Sequence, residues 1–203
     1  MKNIKLRQYT DNSIIFEGEY KTIKDCIEHA VSKNISLSHI NLKNQNLTNA
    51  NLDGGYMPYA NFCGANLTGA NLSEANLSNS IFYNSGLYNA CLSYSNLDNC
   101  DFRGTSFGAT MIEGTILQNC KFSTFSSFDL DFQYATTMSN CTFETIDGGQ
   151  CTMSSPPIVI KGLLSVPIVI FDDFIKIGAK TFSKTHLPQI SNILNTYTQK
   201  IAA

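Results

Sequence analysis

Seven cysteines, three histidines and sixteen acidic residues are the side chains of this 203-residue chain that could do chemistry. They would offer thiolate or metal–thiolate chemistry, imidazole acid–base work and carboxylate catalysis. Their spacing supports none of the three. No two cysteines form a C-x-x-C pair, so the spacing that marks a zinc site is missing. His29, His39 and His186 are far apart, and none belongs to a Ser, Cys or Asp arrangement typical of nucleophilic catalysis. Gly54-Gly55, Gly148-Gly149 and Gly162 make no phosphate-binding fingerprint. No catalytic residue, cofactor site or metal ligand is assigned. Matches to Asn-x-Ser/Thr, such as Asn66-Leu67-Thr68, follow from a repeat rather than from glycosylation.

That repeat has a period of five. Every fifth residue from Leu37 to Phe122 is large and apolar, and the residue two before each is small from Ala50 to Cys120. Among them are Leu67, Leu72, Leu77 and Leu92, each with Ala two places earlier. On an α-helix five residues turn about 500°, so the large residues would make no face. On a flat strand an odd period flips each to the opposite side. The pattern works only if the chain bends once per five residues, with small and large residues sharing an inner face. Cys100, Cys120, Cys141 and Cys151 then fall in the small inward slot and behave as small core residues. Stacking would bring Cys100 and Cys120 close enough for a disulfide, but a reduced state is the simpler expectation. Cys63 and Cys91 fall in outward slots, and Cys26 on a helix.

Phe62, Phe82, Phe102 and Phe122 occupy the large slot at intervals of twenty. Twenty residues are four bends, which predicts a square coil with each Phe on the Phe of the next coil, about 4.8 Å away. The runs Ala65-Asn66-Leu67-Thr68-Gly69, Ala70-Asn71-Leu72-Ser73-Glu74 and Ala75-Asn76-Leu77-Ser78-Asn79 resemble the pentapeptide-repeat family consensus A-(D/N)-L-x-x. The resemblance covers about Ser36 to Met153. It implies an all-β solenoid, a right-handed quadrilateral β-helix; the handedness comes from the resemblance alone.

Three regions are expected. Residues 1–35 read as a cap: a hairpin of Ile4–Arg7 and Ser13–Phe16 around Asp11-Asn12, then a helix from Thr22 to Lys33 with Thr22 as N-cap and Ile23, Ile27, Ala30 and Val31 on its apolar stripe. This order is similar to bacterial and phage pentapeptide-repeat proteins. Residues 36–153 are the repeats, with a one-residue slip within 123–133. Beyond it the pairs Ser126/Phe128, Thr136/Met138, Cys141/Phe143 and Cys151/Met153 restore the pattern. The slip is either a decayed repeat or a protruding binding loop. Residues 154–203 read as short strands and an amphipathic helix, Leu187–Ile201, which either covers the last coil or makes a homodimer contact.

Charged residues are only 15% of the chain and the net charge is −2, which excludes disorder and a basic grip on nucleic acid. Neither a membrane-spanning run nor an apolar leader is read, so a soluble, cytoplasmic protein is expected. Residues 37–153 hold three basic and nine acidic residues. Some relatives in the resembled family imitate DNA and bind DNA gyrase or another topoisomerase. About one net charge per coil is weak imitation, since duplex DNA carries one per ~1.7 Å. The acids that crowd the second half, Asp98, Asp101, Glu113, Asp129 and Asp131, are the candidate interaction surface, with outward Tyr59, Tyr83, Tyr88 and Tyr94. The leading expectation is a non-catalytic protein-interaction scaffold. A gyrase-binding DNA mimic is the first alternative, and an enzyme with a site at an end cap is the second.

Overall fold

The computed structural model describes residues 1–123, 126–144, 148–153, 158–160, 168–170, 172, 174–177 and 180–183. Strands β1 (Lys2–Arg7) and β2 (Ile14–Tyr20) pair antiparallel around Asp11-Asn12. Helix α1 (Ile23–Ser32) follows, opened by a capping box in which Thr22 Oγ1 accepts the Asp25 N–H and Asp25 accepts the Thr22 N–H. Cys26, Ile27 and Ala30 bury the inner face of α1 in the same core as the repeats. Hairpin and helix also supply partners that the first coil has no preceding coil to give. Arg7 O accepts the Asn41 N–H at 2.8 Å, and Glu28 Oε1 accepts the Asn51 N–H at 2.8 Å.

The repeats stack in parallel with residues twenty apart as neighbours, from the Asn41–Asn61 bridge to the Asn96–Ile116 bridge. All large residues from Leu37 to Phe122 are buried, as is the whole small column from Ala50 to Cys120. At each corner the fourth residue after a small one, the second after the large one, has positive φ, from His39 to Asn119. The next N–H returns to the carbonyl of the large residue, as Ala65 N to Phe62 O at 2.9 Å. Positive φ at the third position of such a four-residue turn is the mark of type II, and it explains why Asn and Gly dominate there.

A five-residue unit satisfies all its backbone N–H groups. Around Leu67, Asn66 N bonds Gln45 O in the preceding coil, while Leu67 N and Gly69 N bond Gly86 O and Tyr88 O in the following one. Ala70 N closes the turn onto Leu67 O, and Thr68 N is taken by the Asn66 side chain at 3.1 Å. The Asn of the repeat is therefore an Asx cap for the one N–H that stacking leaves open. Inward hydroxyls and thiols follow the same economy: Thr105 Oγ1, Thr110 Oγ1, Cys100 Sγ and Cys120 Sγ each bond a carbonyl 23 residues back. Ser85 Oγ alone among the described residues is buried with no partner.

Phe62, Phe82, Phe102 and Phe122 form one column, with ring centroids 4.9, 4.9 and 5.3 Å apart and planes within 14°. Short strands appear where this regularity ends: β3 (Asp101–Phe102), β4 (Ile116–Gln118), β5 (Lys121–Ser123), β6 (Thr137–Ser139) and β7 (Cys141–Glu144). Here the spacing becomes 21, with Leu117 beside Met138 and Phe122 beside Phe143. The extra residue is already taken up at Tyr134, whose carbonyl accepts the Gly114 N–H twenty residues away; the equivalent Tyr94-to-Glu113 bond spans nineteen. Two short 3-10 turns, Ser126–Asp129 and Phe132–Tyr134, replace the regular corners.

Two expectations for this region need correction. Thr136 is exposed and does not occupy an inward slot; its N–H and that of Thr137 both turn to the Thr115 carbonyl. Parallel stacking also ends at Glu144 rather than Met153. Strand β8 (Gln150–Met153) reverses and pairs antiparallel with β7, Cys141 beside Met153. Strands β9 (Ile158–Ile160), β10 (Ile168–Ile170), β11 (Phe174–Ile177) and β12 (Lys180–Ser183) form an antiparallel sheet ordered β12-β11-β10-β9. Val169 joins the main core from this sheet. The helix expected at Leu187–Ile201 lies outside the described residues. Among those described, no helix is long and apolar enough to cross a membrane.

Candidate interaction surface

Which side chains can act together depends on which side of the coil they share. Residues twenty apart stack, so the corners define four sides. Side one holds the Phe column, and sides two, three and four are built on Leu67, Leu72 and Leu77 with their stacked equivalents. Side one carries Lys43, Arg103 and Lys121, all the basic residues of segment 37–153. Opposite it, side three carries Asp53, Glu74, Glu113 and Asp131 and no basic residue among those described. Side one also holds Asp101 and Glu144, so it is close to neutral while side three is purely acidic, and the net charge by segment conceals this uneven cross-section.

The five acids expected to act as one surface are split by this geometry. Asp98 lies on side four and accepts the Asn119 amide at 3.2 Å. Asp101 lies on side one and is held by Arg103 through both carboxylate oxygens, at 2.9 Å and 2.7 Å. Burial alone would raise the Asp101 pKa, but the Arg103 side-chain and backbone hydrogen bonds outweigh it and hold it below the ordinary value. Glu113, Asp129 and Asp131 come together on one groove of about 310 Å³, with Met111, Ile112 and Tyr134 as its apolar lining.

The outward tyrosines are also distributed, one to a side, each lying along the stack. Tyr59 stacks on His39 at 4.8 Å, Arg103 sits 5.9 Å from the Tyr83 ring centre, and Tyr88 covers Gly108. Tyr94 covers Gly114, where φ is +71° and an added Cβ would collide with the ring. All four remain exposed at their edges.

The chemistry-bearing residues serve structure. Cys26, Cys63, Cys91, Cys100, Cys120 and Cys141 are free thiols. Burial pushes the Cys100 and Cys120 thiols well up, so they stay protonated and donate to backbone carbonyls. Burial likewise raises Cys26 to about 11. At half-buried Cys91, burial is outweighed by hydrogen bonds from Ser73 and Ser93, and the pKa falls. His29 Nδ1 meets Tyr20 Oη at 2.7 Å, and His39 Nδ1 meets Ser38 Oγ at 2.8 Å; His186 lies outside the described residues. No cluster of three metal-ligating side chains occurs among the described residues. A second cleft, about 480 Å³, lies between α1 and the first coil with Lys2, Lys21 and Lys24 around it.

Residues 46–84 and 85–123 match the model of the pentapeptide repeats family, which finds eight copies. Residues 46–123 of the chain are pentapeptide repeats. Solved pentapeptide-repeat structures are similar to it. Rfr23 from the cyanobacterium Cyanothece 51142 is 26% identical over 43% of this chain and 60% of that one, with a TM-score of 0.41. HetL, a pentapeptide repeat protein involved in heterocyst differentiation regulation from the cyanobacterium Nostoc sp. strain PCC 7120, is 25% identical over 50% of this chain and 46% of that one, with a TM-score of 0.39. QnrB1, a plasmid-mediated fluoroquinolone resistance protein, is 18% identical over 51% and 68%, with a TM-score of 0.23. The pentapeptide-repeat chain thus spans 60% and 46% of the first two structures. A comparison with curated proteins gives no match.

Proposed function

We propose that this pentapeptide-repeat chain is a non-catalytic protein-interaction scaffold: a right-handed β-helix closed at its first coil by the hairpin and α1 and at its far end by the β9–β12 sheet. The observation that supports it best is the division of charge between opposite sides of a coil whose interior is filled. Lys43, Arg103 and Lys121 lie on side one with Asp101 and Glu144; Asp53, Glu74, Glu113 and Asp131 lie on side three with no basic residue among those described. Such a column offers distinct surfaces held rigidly relative to one another, which suits recognition rather than turnover. Charge reversal tests it. Cross-linking to partners from the native host is compared for wild type, Glu74→Lys/Glu113→Lys and Lys43→Glu/Lys121→Glu, each with its circular-dichroism spectrum. The scaffold reading expects one side's variant to lose a partner that the other retains. Identical partner sets for all three would overturn it.

A second reading, a DNA-mimicking binder of gyrase or another topoisomerase, draws support from the acidic side. Against it stands density: side three offers fewer than one acid per coil of ~4.8 Å, where duplex DNA has nearly three charges. Gyrase supercoiling assays with added protein separate the readings. Absence of both inhibition and protection from quinolones removes the mimic.

A further inference from the structure

We propose that the side-three groove docks a short basic peptide segment of a partner, with a Lys or Arg head group among Glu113, Asp129 and Asp131 and the neighbouring aliphatic stem on Met111, Ile112 and Tyr134. This rests on the scaffold reading and names the chemistry of one partner.

The groove exists because the coil is irregular there. Elsewhere each type II corner lies flat on the next; here two 3-10 turns and one extra residue open a recess between the coil of Ile112 and that of Phe132. Its lining departs from the Asn, Ser and Thr of regular coils. Met111 is 53% exposed and Tyr134 58% exposed, and the two share the one groove, so their apolar surfaces can be covered together. Three carboxylates from two segments, Glu113 on one coil and Asp129 and Asp131 on the next, meet this apolar surface. Asp131 accepts the Gln133 amide at 2.8 Å, while the Glu113 and Asp129 carboxylates have no hydrogen-bond or ion-pair partner among the described residues. No basic side chain lines the groove, and the basic residues of the coil lie on the opposite side.

Charge and shape together select the occupant. The carboxylates are not grouped closely enough to hold a metal ion. A guanidinium or ammonium on an apolar stem fits both features, because Arg and Lys bury their methylenes while the head stays polar. Tyr134 also offers a ring face to a cation. At about 310 Å³ the groove takes one or two side chains rather than a folded surface.

The test uses fluorescence anisotropy of a fluorescein-labelled (Arg-Leu)3 peptide, with (Glu-Leu)3 as control, at low and physiological salt. Wild type is expected to bind the basic peptide only. Glu113→Gln/Asp131→Asn should weaken it by about tenfold or more, as charge-assisted contacts do. Asp53→Asn/Glu74→Gln, which removes as much charge from the same side, should change it by less than about twofold at physiological salt. Met111→Ser should weaken it with charge unchanged. Equal loss in both acid-removal variants, or no binding to wild type, overturns the proposal. So does a concentration-dependent rise in sedimentation mass that Glu113→Gln abolishes, which would give the groove to a second copy of the chain. If the peptide fails while the side-specific cross-linking difference persists, the groove proposal falls and the scaffold reading stands; loss of both removes the scaffold.

Discussion

Phe122 and Phe143 stack with ring centroids 5.3 Å apart although 21 residues separate them; every earlier neighbour in the column is twenty residues away. The extra residue is absorbed on side three, next to Tyr134, so the Phe column continues undisturbed. Deleting Gln133 removes it without removing an inward side chain, since Gln133 is exposed. The deletion is expected to fold, with a melting temperature near that of wild type, and to lose the groove and with it the basic peptide. Full peptide binding by the folded deletion would separate the groove from the slip.

Ser85 lies in the small column with its hydroxyl buried and unpartnered, where Ala65 and Ala90 serve elsewhere. Removing a buried hydroxyl that makes no hydrogen bond relieves its desolvation cost of about 1–3 kcal/mol. Ser85→Ala is expected to raise the urea midpoint with an unchanged slope. A lowered midpoint would mean that the hydroxyl has a partner.

Leu92 is 1% exposed at mid-stack, while the neighbouring Ser93 side chain points outward. Leu92→Asp places an uncompensated charge among apolar neighbours and should abolish soluble folding. Ser93→Asp should leave the circular-dichroism spectrum and melting curve essentially unchanged. Both variants behaving alike would contradict the inward and outward assignment.

Asp101 supplies a pH dependence of known sign. Its folded pKa lies below the reference value of 3.8, so the folded state favours the carboxylate. Its contribution is therefore present above about pH 4 and is lost as pH falls through the lowered folded value. Stability measured from pH 5 downward should fall less steeply in Asp101→Asn and in Arg103→Gln than in wild type. An unchanged slope in either variant would show that the pair does not carry this dependence.

The period of five was legible because burial imposes it: only a bend per unit puts Leu67, Leu72 and Leu77 inside together. The corner conformation was equally present, in the Asn and Gly two places after most large residues, but needs turn chemistry to be read. Charge was misread when it was counted along the chain. Lys43 and Lys121 share a side although 78 residues part them, whereas Asp98 and Asp101 sit three residues apart on different sides. The last stretch misled for another reason. Cys151 and Met153 repeat the small–large spacing by composition alone, and β8 meets β7 antiparallel, where alternation of period two produces the same spacing.

The central claim is that twenty residues advance the structure by one coil. Spin labels at Lys43→Cys/Ser123→Cys and Lys43→Cys/Glu144→Cys, in a background with Cys63→Ser and Cys91→Ser, measure it directly. The positions are four and five coils apart on side one, so backbone separations of ~19 Å and ~24 Å are expected, at ~4.8 Å per coil. An increase of tens of ångströms between the two pairs, or a second distance no longer than the first, would contradict the stacked coil.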